Sequence, residues 1–150
     1  MRHHTNELSF ERPDWLLDRT HHLFTVEPDG PSPFSVVISH TPIEDEKLDE
    51  MVDRIVHDLG RALEDFKLTT RTTDVVAGEE AVILQFEWSQ AGQRLFQRQA
   101  ALIHEGPAGR MLHQLAATAT ADARPRHVTG FKELLTTLQF RGADGDGRAD

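Results

Sequence analysis

The 150-residue chain predicts an α+β fold, an antiparallel sheet packed with two helices, on three observations. Most of its apolar runs alternate residue by residue with polar ones, which is the period of strands. Two segments instead carry apolar residues at three- and four-residue spacing, which is the period of helices. Finally, in the order β-β-β-α-β-β-β-β-α, four strands follow one another with no helix between them.

The elements follow in turn. Leu8 to Phe10 reads as a short strand before Pro13-Asp14, and residues 18–27 as a second strand that stops at Pro28-Asp-Gly-Pro31, a strong turn signal. Phe34-Ser-Val-Val-Ile-Ser39 is rich in β-branched residues and ends at Thr41-Pro42. From about Glu44 the period turns helical, with Leu48, Met51, Val52, Ile55, Leu59, Leu63 and Phe66 on one stripe. Acidic residues crowd its first turns, where the helix dipole favours them. Thr41 and Glu44 have the spacing of a capping box, with Pro42 at the first helical position. Lys67 to Val76, rich in Thr and Val, is a strand that turns at Ala77-Gly78. A hairpin follows, Glu80–Trp88 and Arg94–Ile103 joined across Gln90-Ala-Gly-Gln93. Arg110 to Thr120 is the last strand, and Asp122-Ala-Arg-Pro125 opens a helix striped by Val128, Phe131, Leu134, Leu135 and Leu138. Residues 1–141 are expected to form a single domain, and the Gly- and Asp-rich residues 142–150 a disordered tail.

Composition narrows the function. The formal charge is −9 and the isoelectric point about 5.4. Binding to nucleic acid or to anionic membranes, which needs Lys and Arg to displace counterions, is therefore disfavoured. Cysteine is absent, which removes disulfides, thiolate nucleophiles and Cys-ligated zinc. The N-terminal residues hold no apolar run of signal-peptide length and no lipobox cysteine, and no later run is long enough to span a membrane. A cytoplasmic protein without direct membrane insertion is the expectation.

Catalytic patterns are missing. The nine histidines include no pair with ligand spacing on a helix, and His3-His4 and His21-His22 are strand neighbours that point to opposite faces. Asp144 and Asp146 lack the spacing and the terminal Glu of a calcium loop. No Gly-x-Ser-x-Gly elbow is present, and Gly106-Pro-Ala-Gly109 opens no helix that could hold phosphate. No enzymatic activity, metal or cofactor is expected.

The hairpin carries the positive signal. Along its strands Gln85, Gln97 and Gln99 stand among aliphatic residues where a solvated face would normally carry charge. An amide offers hydrogen bonds without ionising, so such a surface suits an apolar segment that also has polar groups to satisfy.

Phe10-x-x-Pro13-x-Trp15-x-x-Asp18-Arg19-Thr20, the acidic helix ending Leu63-x-x-Phe66-Lys67-Leu68, then Phe86-x-Trp88 and Gln97-Arg98-Gln99-Ala100 together resemble the DcrB-like domain family, over about Leu8 to Phe140. Within it the chain is most similar to the Eag chaperones of bacterial type VI secretion. The resemblance implies a Mog1/PsbP-like fold and a cradle-shaped homodimer. It also implies a client: the hydrophobic N-terminal transmembrane segment of a PAAR or Rhs-type effector, held before delivery to the VgrG spike. A non-enzymatic Mog1/PsbP-like module that binds a folded partner is the alternative. If the bulkier hairpin rows share a side, Ile83, Gln85, Leu95, Gln97, Gln99 and Ala101 gather on the face opposite Val82, Phe86 and Trp88, and are the expected client contacts. A register slipped by one residue would instead offer Phe96, Arg98 and Leu102.

Overall fold

A computed structural model describes residues 2–4, 9–11, 21–25, 33–107, 109–121 and 123–140. In chain order the elements are β1 (Arg2–His4), β2 (Ser9–Glu11), β3 (His21–Thr25), β4 (Phe34–Pro42), α1 (Leu48–Ala62), β5 (Glu64–Val76), β6 (Glu79–Gln90), β7 (Gln93–Gly106), β8 (Gly109–Thr120) and α2 (Arg124–Thr137). The expected turn at Pro28–Pro31 and the tail at 142–150 lie outside the described residues.

Turn chemistry lays out the main sheet. Two-residue turns join β5 to β6 and β6 to β7, at Ala77-Gly78 (φ +53° and +82°) and Ala91-Gly92 (φ +52° and +80°). Two successive residues in the left-handed region make a type I′ turn, whose twist matches that of the strands it joins. β8 follows β7 by another tight connection, β4 pairs with β8, and β3 pairs with β4. The result is a six-stranded, wholly antiparallel sheet in the order β3-β4-β8-β7-β6-β5, while β1 and β2 pair separately.

Each face of the sheet has its own core. On one face α1 sets Leu48, Met51, Val52, Ile55, Val56 and Leu59 over Val82, Leu84, Phe86, Trp88, Ala101 and Leu112. On the other, Phe131, Leu134 and Leu135 of α2, with Leu138 beyond it, cover Ala81, Ile83, Ala100, Leu102, Leu115 and Ala117. A sheet buried on both sides explains why Ala81-Val-Ile-Leu84 is apolar without interruption.

Three sequence expectations change. The N-terminal region holds a strand, β1, that the sequence reading did not separate from its surroundings. α1 starts at Leu48, so Thr41 and Pro42 end β4 and form no capping box; Lys47 is the N-cap and makes no side-chain cap bond. The Glu46 carboxylate instead accepts the Glu44 backbone N–H at 2.7 Å, which holds its carboxyl below the usual value. α1 also stops at Ala62. Leu63 is extended and Asp65 has φ +53°, so the chain reverses into β5, and Leu63 and Phe66 join the α1 core from outside the helix. The apolar spacing continued past the helix because the same core receives the start of the next strand.

Candidate functional site

The register of the hairpin decides which amides meet. Gln90 pairs with Gln93 across the two-residue turn, so each residue of β6 faces one of opposite parity in β7. Trp88 is opposite Leu95, Phe86 opposite Gln97, Leu84 opposite Gln99 and Val82 opposite Ala101. Cross-strand partners share a face. Leu95, Gln97, Gln99 and Ala101 therefore lie on the side of Val82, Phe86 and Trp88, not opposite to it. Ile83 and Gln85 lie on the other side, against Ala100 and Arg98. The six residues expected together are thus split four and two, because a two-residue turn forbids pairing of like parity.

Burial separates them further. Ala101 is wholly buried under α1, and Ile83 lies in the core beneath α2. Leu95 packs at the margin of the α1 core. Gln99 is 6% exposed, the one polar residue among the buried side chains described.

Its burial is matched by hydrogen bonds. Gln114 Nε2 donates to Gln99 Oε1 at 3.2 Å, Gln99 Nε2 donates to Gln97 Oε1 at 3.2 Å, and Gln97 Nε2 donates to Thr118 Oγ1 at 2.8 Å. The three amides and the hydroxyl form a ladder across β7 and β8. Each bond uses one of the two N–H groups of its amide, so every amide keeps a second donor.

The ladder lies where α1 stops. The α1 core takes in β6, β7 and Leu112 of β8, but no residue of β3 and none of the rest of β8. On that same side of the sheet stand Gln114, Ala116 and Thr118 of β8, Ser35, Val37 and Ser39 of β4, and Leu23 and Thr25 of β3, as the paired registers require. Those of β4 and β8 are half-buried and those of β3 exposed. These eight residues are aliphatic, small, hydroxylic or amide, with no Asp, Glu, Lys or Arg among them, and the same register sets His21 opposite Ser39. Gln114, Thr118, Val37 and Leu23 were not picked out from the sequence. The alternation Gln114, Ala116, Thr118 was visible there, but only the β4–β8 pairing sets it beside Ser35, Val37 and Ser39.

Gln85 serves the opposite side, where its Oε1 accepts from Arg98 Nη2 at 2.8 Å. Arg98 Nε is buried without a hydrogen-bond partner among the described residues. It borders a cavity of about 20 Å³ with Phe34, Phe96, Val128 and Phe131, room for about one water. At the far end of that side His104 stacks on Phe140, with ring centroids 3.7 Å apart, and its Nδ1 lies 2.8 Å from Glu79 Oε2. His113 lies 5.2 Å from Phe140, and together with His40 and Met111 these residues line a cleft of about 240 Å³. Burial first, then the neighbouring His40 and His104, holds the pKa of His113 below the usual imidazole value.

The DcrB family pattern matches residues 7–137. The chain belongs to the DcrB family. It is 30% identical over 135 residues to the Pseudomonas aeruginosa protein Effector EagT6, covering 89% of this chain and 91% of that one. A crystal structure of a P. aeruginosa protein of unknown function, PA94, superposes with a TM-score of 0.74 at 27% identity, over 94% of this chain and 96% of the other. The solution structure of PsbP from Synechocystis matches with a TM-score of 0.51 at 10% identity, over 91% of this chain and 89% of that one. LpqN of Mycobacterium tuberculosis, a protein involved in cell envelope biogenesis, matches at 0.57 and 15%, over 77% of this chain and 65% of that one. The last two establish the fold alone, and the DcrB-family chain has the Mog1/PsbP-like architecture: a six-stranded antiparallel sheet with a helix on each face. No described helix is long and apolar enough to cross a membrane.

Proposed function

We propose that this DcrB-family protein is a non-enzymatic chaperone or adaptor for a type VI secretion effector of the PAAR or Rhs type. In this reading it acts in the cytoplasm as a homodimer, holds the effector's hydrophobic N-terminal transmembrane segment, and aids its loading on the VgrG spike. The similarity to Effector EagT6 over nine-tenths of both chains supports the class of partner. The observation that carries the binding site is the open half-face beside α1, with the Gln114–Gln99–Gln97–Thr118 ladder at its edge.

An apolar helix kept in water must hide its side chains, worth about 25 cal/mol for each Å² covered. Val37, Ala116 and Leu23 offer matching surface. The spare amide donors can meet carbonyl or hydroxyl groups of the helix, and because they do not ionise they add no desolvated charge. Leu95, Gln97 and Gln99 keep their place in the proposed contact, joined by Gln114, Ala116 and Val37; Ala101 supports it from the α1 core.

Val37→Asp tests the site. Val37 belongs to neither core cluster, so the fold is expected to survive while a charge is set in the path of the client. Co-expression with the apolar N-terminal segment of a candidate effector should show capture by the wild type and loss of capture by the variant, at unchanged circular dichroism. Capture retained by a folded Val37→Asp protein would remove this face from consideration. Capture of a folded partner that lacks any apolar segment would favour the plain binding-module reading.

A further inference from the structure

Two arginines stand on the α2 side of β7, and among the described residues only one of them has a counter-charge. Arg94, Phe96 and Arg98 alternate onto one face of the strand. Arg94 Nε donates to Glu87 Oε1 at 3.0 Å, and its Nη1 donates to Ser89 Oγ at 3.0 Å and to the Asp65 carbonyl at 2.9 Å. Glu87 is opposite Phe96, so it stands between the two arginines, and Arg94 holds it. Arg98 is opposite Gln85 and donates from Nη2 to its neutral Oε1 at 2.8 Å, while its Nε is buried without a partner. The chain carries 25 Asp and Glu against 16 Lys and Arg, yet no described carboxylate forms an ion pair with Arg98.

We infer that Arg98 binds a single halide ion, chloride in ordinary solution, in the cavity between β7 and α2. A buried lysine can shed its proton, but a guanidinium stays charged, so its charge must be met from outside the side chain. Phe34, Phe96, Val128 and Phe131 border the cavity with side chains that have no oxygen or nitrogen. The polar groups beside it are donors: Arg98 Nε–H, and the amide N–H groups of Gln85, whose oxygen is already engaged by Arg98. A water in such a place must give up hydrogen bonds as a donor, whereas an anion only accepts.

Size and shape select among anions. The cavity of about 20 Å³ has room for one particle of about the size of water. A halide is little larger, while sulfate, phosphate and organic carboxylates exceed it. The Nε and Nη2 edge of a guanidinium is a fork that a carboxylate grips with both oxygens, and Gln85 occupies one side of it. One buried N–H remains, which suits a single spherical acceptor. Val128 and Phe131 belong to α2 and Arg98 to β7, so the ion sits where the helix meets the sheet, on the face away from α1. It binds there whether or not a client is held on the other face, and it should stabilise the folded chain by mass action.

Melting curves in sodium chloride and in sodium gluconate at equal ionic strength test the site. The wild type should melt a few degrees higher in chloride, with a rise that saturates, and bromide should substitute for chloride. Arg98→Met keeps an apolar stem and removes the charge, and should melt at the same temperature in both salts. Crystals of the wild type grown in sodium bromide should show an anomalous peak within hydrogen-bond distance of Arg98 Nε, which decides the matter even if Arg98→Met does not fold. The inference is overturned if the wild type melts alike in chloride and gluconate, if a folded Arg98→Met keeps the chloride rise, or if the bromide crystals show only water at Arg98.

Discussion

A glutamine at the rim of a core is held in place only while both ends of its amide are occupied. Gln99 accepts from Gln114 and donates to Gln97, and its side chain is buried where α1 ends. Gln99→Glu removes the donor and sets a carboxylate oxygen against Gln97 Oε1, in a place where water reaches it poorly. The variant is expected to lose about 3 kcal/mol at neutral pH. Gln99→Met keeps the volume and only breaks the ladder, with Gln97 and Gln114 still within reach of solvent, and should cost about 1 kcal/mol. Urea unfolding of the two variants checks the difference; equal losses would mean that packing, not the amide, matters at this position. The presence of these amides was legible in the sequence. Their partners were not, since Thr118 and Gln114 lie 21 and 15 residues away along the chain.

At the scale of the element, the β6–β7 hairpin shows how one turn rewrites a surface. Its apolar alternation and its turn were visible as Gln90-Ala-Gly-Gln93, but the face shared by Gln97 and Phe86 followed only from the number of residues in the turn. Ala91 pays for that turn with φ +52°, a conformation that costs an L residue about 1–2 kcal/mol and that Asn tolerates better. Ala91→Asn should therefore raise stability by about 0.5–1 kcal/mol without touching the proposed client face, read as a higher melting temperature at unchanged client capture. A fall in melting temperature would contradict the type I′ assignment. The capping box failed at the same scale: Thr41, Pro42 and Glu44 have the right spacing, but β4 needs Thr41 and Pro42 to pair with Leu112 and Met111 of β8.

Across the whole molecule, acid should act through the histidines beneath the end of α2. His113 is favoured neutral in the fold, by burial and then by the neighbouring His40 and His104, so its folded pKa lies below the ordinary 6.5. The unfolded chain then binds the proton more readily than the folded one. The contribution of His113 is complete above pH 6.5, is lost as pH falls from there through the folded pKa, and levels off below it. His113→Leu should flatten this part of the profile, seen as a smaller drop in urea midpoint between neutral pH and about pH 5. A variant with the same slope as the wild type would assign the acid sensitivity to other groups.

What the sequence determined by itself was everything that local period and chain order encode: an α+β chain, its two helices, five long strands and the hairpin turn. The spacing of Leu48, Met51, Val52, Ile55 and Leu59 is enough to specify α1, because a helix repeats within a few residues. The family resemblance was legible in the same way, from short motifs in order. Only the tertiary structure decided which helix lies over each glutamine, where α1 leaves the sheet open, and that Val37, Ala116 and Gln99 stand in one row. Those facts depend on strand pairing between residues far apart in the chain, and a change of one residue in register moves every side chain of a strand to the opposite face.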